Sequence, residues 1–205
     1  MNTTIIHAIE NRSSTGRYDP QGNVSDSTIA ELVRLATLAP SAYNLQNWRF
    51  IAVRSEAAKR RLHAAAYGQQ QVLDAAVTFV ICGTLEAYRG LADALQPSVS
   101  QGLFGATVVD AWVQQATRSH RDNPVLQRDE ALRSASLAAM TLMLAAQGMG
   151  LSSGAMSGFD PQAVSEVFSL ATHELPVMLV TVGQAAADNW PQKPRRAVVE
   201  VLELV

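Results

Sequence analysis

Apolar residues recur along this chain in two rhythms, and each predicts its own kind of element. Between Ser25 and Pro40, the residues Ile29, Leu32, Val33 and Ala36 fall at the i, i+3, i+4, i+7 spacing that turns one helix face toward a core. Ser25 is placed to cap that helix, and Pro40 stops the chain from extending it. The other rhythm is the short unbroken run. WRFIAV (48–53), rich in aromatic and β-branched residues, predicts a strand. VTFVIC (77–82) is a second, continuously apolar strand of the kind covered on both faces, and VMLVTVG (177–183) is a third apolar strand.

Less regular segments complete the reading. Residues 3–10 predict a first helix, followed by the polar stretch NRSSTGRYDPQGN, which carries no period. Ala57–Ala66 and Ala106–Thr117 read as helices, and residues 160–168 as a short one with Asp160 as cap and Pro161 at its first position. Pro97 and Pro124 punctuate the region 86–128. Arg128–Gln147 predicts a long helix ended by Gly148 and Gly150, and the final AVVEVLELV suits either a last strand or a helix. No internal repeat is visible. Helices and strands mix without regular alternation, which predicts an α+β chain forming one domain over residues 1–205.

The long helix raises the question of a membrane. From Ser134 to Phe159 there are 26 residues without a charge. Its apolar part, SLAAMTLMLAA, is about half of the ~20 residues a bilayer span needs, and small polar residues follow at once. A helix buried in a core or at a subunit interface is the expectation. Composition agrees: 48% of 205 residues are hydrophobic against 17% charged, enough for a real core and unlike a disordered chain. A net charge of −2 without any basic cluster of five argues against a nucleic-acid partner. The lone Cys82 cannot form an internal disulfide, and the N-terminal apolar run is too short for a secretory signal, so a cytoplasmic protein is expected.

Several chemistries fail on spacing. His7, His63, His120 and His173 form no HxH or HExxH pattern, so no metal site is expected from them. No nucleophile elbow or phosphate-binding GxxxxGK[ST] loop is present, and the glycines at 148–154 follow no predicted strand, which removes a dinucleotide-binding reading. Cys82, inside an apolar strand, reads as inert core. Three polar clusters remain. NRSSTGR (11–17) puts two arginines among hydroxyls, a set able to grip phosphate or simply to face water. APSAYNLQNW (39–48) offers the neutral donors and acceptors of Ser41, Asn44 and Gln46, suited to a planar heterocycle or to an ordinary loop. KPRR (193–196) is a surface run or the second half of an anion site. Together they suit a ligand with a phosphate and a polar ring.

Four blocks in this order resemble the FMN-dependent nitroreductase family from Ile9 to about Glu200: NRSSTGRYD, LATLAPSAYNLQNWRFIAV, GMGLSSGAMSGFDPQAVSEVF and LPVMLVTVGQAAADNWPQKPRR. The resemblance implies an α+β fold, a central, mostly antiparallel sheet flanked by helices, and an intertwined homodimer with FMN at the interface. Carried over by position, Arg12, Ser13 and Ser14 would hold the phosphate side with Lys193 and Arg195. Ser41 and Asn44 would reach the flavin from the partner subunit. Gln69 would meet the ring, with Gln70 and Gln71 as alternatives, and the backbone of Ser157 and Gly158 would approach it. Two departures stand out: Gly16 occupies the place of a usual basic residue, with Arg17 next to it, and Asn47 replaces a usual proline. The implied activity passes hydride from NAD(P)H through flavin N5 to a small electron-poor acceptor such as a nitroaromatic or quinone, in ping-pong fashion, with no side chain named as an obligatory acid or base. Another acceptor (free flavin, an enone) and a flavin carrier or sensor without turnover stay open beside it.

Overall fold

A computed structural model describes residues 5–205. The elements run α1 (Ile5–Asn11), α2 (Asp26–Ala36), β1 (Trp48–Val53), α3 (Glu56–Ala65), α4 (Gln71–Asp74), β2 (Val77–Thr84), α5 (Leu91–Ser100), α6 (Ala106–His120), α7 (Pro124–Gly148), β3 (Ser152–Met156), α8 (Pro161–Val167) and β4 (Glu174–Gly183). Residues 3 and 4 of the expected first helix lie outside the described residues.

The four strands form one antiparallel sheet in the order β1-β2-β4-β3. β2 lies at its centre and is buried on both faces, as its unbroken apolar run predicts. Side chains alternate across a strand, so Val77, Phe79 and Ile81 enter one core with Leu32 and Ile29 of α2 and Leu142 and Ala139 of α7. Val80 and Cys82 enter a second core with Leu62 of α3, Val164 of α8 and Leu179 of β4. The fold is α+β, with helices on both faces of the sheet. Cys82 is fully buried, and burial, with the Glu174 charge adding to it, pushes its thiol up to about 12. Among the described residues no helix is long and apolar enough to cross a membrane.

The long helix α7 lies against the sheet along a stripe of small residues, Ala131, Ala135, Ala138, Ala139 and Ala146, all fully buried. Its approach is so close that a Cβ on Gly83 would stand 2.6 Å from the Ala131 carbonyl oxygen. The opposite face keeps Leu137 and Met140 exposed. A third cluster gathers Leu91 and Leu95 of α5, Val109 and Ala116 of α6, Tyr88, and Leu45 from the loop before β1.

Several expectations shift. Pro124 opens α7 instead of ending a segment: at the first helical position its missing N–H costs nothing, and the Asn123 side chain accepts from the Leu126 N–H. Pro97 lies inside α5, which forms because Leu91 and Leu95 are fully buried and packing overrides the lost bond. The α6 helix runs three residues past Thr117. β3 had no apolar run to announce it; β4 is the only strand it pairs with among the described residues, and Ser and Gly are tolerated at such an edge. The terminal AVVEVLELV is neither strand nor α-helix: it holds one 3₁₀ turn, Val198–Glu200, with Val199 and Leu204 exposed.

Candidate functional site

The structure joins the first and last polar clusters at one end of the sheet. The opening loop lies along the free edge of β3, where Ser14 bridges Ser153 and the Thr15 N–H donates to the Ser153 carbonyl at 3.0 Å. A Cβ on Gly154 would lie 2.3 Å from the Thr15 carbonyl oxygen, so only glycine permits this contact. Further on, Asp19 N–H donates to Gln184 O at 2.9 Å and Ala186 N–H to Arg17 O at 3.0 Å, tying the opening loop to the chain leaving β4.

Asn189 fastens the two loops. Its Oδ1 accepts from the backbone N–H groups of Gly16 at 2.9 Å and Arg17 at 3.0 Å, while its Nδ2 donates to Arg17 O and Ala186 O at 2.7 and 2.9 Å. Gln192 adds a bond from its Nε2 to Arg12 O at 3.1 Å. Sequence reasoning passed over both amides, although they stand inside the closing block; only their partners, more than 170 positions away, mark them.

Between these loops and β3 opens a cavity of about 350 Å³, lined by Ser14, Thr15, Arg17, Gln71, Gly154, Ala155, Trp190 and Lys193 among others. A smaller one beside it, about 60 Å³, is lined by Ser13, Ser14, Lys193 and Arg195. Four of the expected contacts, Ser13, Ser14, Lys193 and Arg195, therefore converge; Arg12 precedes Ser13 on the opening loop but is not among the residues lining either cavity. Arg17 stands where the sequence offered it as a substitute for a base at Gly16, but its guanidinium pairs with Asp188 at 3.6 Å on the surface. Such an exposed pair is worth little and yields easily to a stronger anion. The Lys193 ammonium sits 5.1 Å over the Trp190 ring, a second marker that the closing loop is ordered about its cations.

The floor of the cavity has a usable edge. Because the Ser153 carbonyl points away from β4 toward Thr15, the peptide groups of Ala155, two residues on, point to the same open side. Ser157 and Gly158 continue from there and are exposed. The three glutamines separate cleanly. Gln69 donates from Nε2 to Gly158 O at 2.5 Å, Gln70 bonds Asp74 at 2.7 Å, and Gln71 lines the large cavity. Gln69 thus holds the backbone expected near a ring, and Gln71 is the glutamine that faces the open space. Lys59 supports both from behind, donating to the carbonyls of Leu73 at 3.1 Å and of Ala75 at the end of α4. Desolvation holds its ammonium below the usual lysine range.

Ser41 and Asn44 do not join this group. Their loop enters β1 at the other end of the sheet, where Asn47 O accepts from Thr84 N–H at 2.9 Å. Seven residue steps of β2 separate Thr84 from Val77, roughly 24 Å. The loop is held in an uncommon shape: Tyr43, Asn44 and Gln46 all have positive φ, at 53°, 58° and 47°. Ser41 Oγ accepts from the Gln46 N–H at 2.9 Å, and Leu45 is buried in the third cluster. Gln46, the third polar residue singled out there, contributes backbone to this turn. Among the described residues no group of three or more His, Cys, Asp or Glu side chains is placed to hold a metal ion.

Comparison with known proteins follows this geometry. A profile of the Nitroreductase family matches residues 9–184. YodC of Bacillus subtilis, provisionally named an NAD(P)H nitroreductase, is 32% identical over 183 residues, covering 89% of this chain and 90% of its own. An NADH dehydrogenase of Thermus thermophilus is 32% identical over 194 residues, covering 88% and 86%. Among solved structures, a protein of Exiguobacterium sibiricum, provisionally called a nitroreductase and crystallised in complex with FMN, superimposes with a TM-score of 0.91 at 27% identity over 99% of this chain and 98% of that one.

Proposed function

This chain belongs to the nitroreductase family, and on that footing we propose that it is an FMN-dependent oxidoreductase that draws hydride from NAD(P)H and delivers electrons to a small electron-poor acceptor such as a nitroaromatic or a quinone. The observation that carries the proposal is the meeting of the opening and closing loops over the free edge of β3, which puts hydroxyls and cations beside exposed backbone in one cavity.

The donor set fits the cofactor. Ser13, Ser14, Lys193 and Arg195, with Arg12 adjacent, offer the charge-assisted bonds a phosphate dianion needs. Gln71 and the Ala155 peptide suit the alternating carbonyls and ring nitrogens of a flavin, and Gln69 fixes Gly158 where backbone can come close. When bound, FMN supplies the redox chemistry, taking hydride at flavin N5 and handing electrons on. The chain's own residues neutralise the phosphate, orient the ring and keep one face open; no side chain is named as an obligatory acid or base. The sequence contains no second nucleotide-binding motif, so donor and acceptor use the same opening in turn and the kinetics are ping-pong.

The second half of the proposal is a homodimer. Ser41 and Asn44 lie too far along the sheet to serve the cavity of their own chain, and a second copy is the simplest source of them. The exposed Leu137 and Met140 of α7, with Val199 and Leu204 of the terminal segment, supply apolar surface for an interface well above about 2,000 Å². We take residues 1–205 as a single domain of a cytoplasmic enzyme.

The test is the visible spectrum of the purified protein. Flavin bands that bleach with anaerobic NADPH and return on adding a nitroaromatic or quinone are expected. A colourless protein that refuses FMN defeats the proposal, and bound FMN that no nicotinamide reduces reassigns the chain as a carrier.

A further inference from the structure

Two of the buried polar atoms that lack a partner among the described residues line the same small space. His120, the last residue of α6, is 4% exposed and its Nε2 has no partner among the described residues; Asn47, which leads into β1, is 3% exposed and its Oδ1 has none there either. Both line a cavity of about 10 Å³, together with Thr84, Gln127 and Glu130. That is on the order of the space one water molecule takes, and buried water answers otherwise unsatisfied polar groups.

The chemistry of the two atoms decides what fills it. His120 Nδ1 lies 2.9 Å from the Ala116 carbonyl oxygen, which can only accept, so the ring proton sits on Nδ1. Ser119 Oγ, also 2.9 Å from Nδ1, has the Gln115 carbonyl at 3.0 Å for its own proton and does not compete. Nε2 is then an acceptor, as is Asn47 Oδ1. Two acceptors cannot satisfy each other, but one water can donate a hydrogen to each.

The same ring touches the loop a second way. Tyr43 packs edge-on against His120 with centroids 6.3 Å apart, and against Trp112 at the same distance. Tyr43 and Asn47 bracket the strained turn that carries Asn44. Resting on the FMN reading above, we propose that His120 is a positioning residue: through one buried water to Asn47 and through its face to Tyr43, it holds the 41–47 loop in the shape that presents Ser41 and Asn44 to the cofactor.

The experiment uses the full-length protein and three variants, His120→Phe, His120→Gln and Asn47→Ala, read by FMN titration, flavin circular dichroism in the visible range and long-range ¹H–¹⁵N correlation of the His120 ring. The ring of the unaltered protein should show the Nδ1-protonated pattern. His120→Phe and Asn47→Ala should each weaken FMN binding by about ten-fold and change the flavin dichroism, and the double variant should be no weaker than either single one, since both break one linkage. His120→Gln, which keeps an acceptor, should recover most of the affinity. If His120→Phe does not fold, Asn47→Ala carries the same reading. A ring protonated at Nε2, or FMN binding and dichroism unmoved in the folded variants, overturns the role of His120 while the function stands. Failure of the unaltered protein to bind FMN overturns the function itself, and this role with it.

Discussion

The two ends of the sheet solve different problems. At the Gly183 end, the chain closes on itself: Asn189 makes three bonds between loops that stand over 170 residues apart, and cations, hydroxyls and a strand edge meet in one cavity. At the Trp48 end, Ser41 and Asn44 sit on a turn with three left-handed non-glycine residues, apart from the residues that line the cavity of the other end. Such strain, on the order of 1 kcal/mol or more per residue, persists where surrounding packing demands a particular shape. In the proposed homodimer the first end is the finished half-site, and the second is a polar tip that serves the cofactor of the other copy.

The contrast is broken most severely at the finished end. Gly154→Val would drive a side chain into the Thr15 carbonyl, 2.3 Å from where its Cβ must go, and should separate the opening loop from β3. A stability loss of about 3 kcal/mol or more is expected, with FMN binding abolished; a melting curve and a flavin titration check both. Lys193→Ala should act next in size, and differently. It removes a cation shared by both cavities, worth roughly 1.5–3 kcal/mol toward a phosphate, so FMN affinity should fall about ten-fold or more with the melting temperature nearly unchanged.

The tip should respond with opposite signs in the two measurements. Asn44→Gly relaxes a residue held at φ 58° and should raise stability by about 0.5 kcal/mol, while weakening FMN binding several-fold through loss of the amide. A substitution that changed both in the same direction would end the distinction drawn here. The sheet that joins the two ends is tested by pH. The Cys82 thiol is pushed up to about 12, from an ordinary value of 9.0, by burial in β2. Above pH 9 the unfolded chain loses that proton and the folded one keeps it, so the group's contribution to stability is complete below about pH 9 and is eroded as pH rises toward 12. Denaturant midpoints should be flat from pH 7 to 8.5 and then decline, with a smaller decline in Cys82→Ala.

Much of this was readable before any coordinates, for local reasons. The spacing of Ile29, Leu32 and Ala36 places a buried helix face, and the cap at Ser25 accepts from the Thr28 N–H as expected. The runs at 77–82 and 177–183 became the inner strands because apolar, β-branched sequence is covered best there, and 48–53 pairs with β2 alone as a partly exposed edge strand. The misses share a cause. β3 is a strand through its partner β4 and the opening loop, and α5 keeps Pro97 through the burial of Leu91 and Leu95.

By itself, then, the sequence determined which residue types the molecule could bring to chemistry: arginines and serines at one terminus, a lysine and arginines at the other, neutral amides between, and no metal-binding or nucleophile pattern. Short-range physics, side-chain period and capping, also set most of its elements. Only the tertiary structure decided which of those residues meet. Asn189, Gln192 and Gly154 became important through backbone partners far away in sequence, and Gln71 came to line the cavity while Gln70 bonds Asp74. Ser41 and Asn44 were set apart by the length of β2. Hydrogen bonds and steric contacts act over a few ångströms of space, so a pattern along the chain specifies which groups are present, and the fold alone specifies their neighbours.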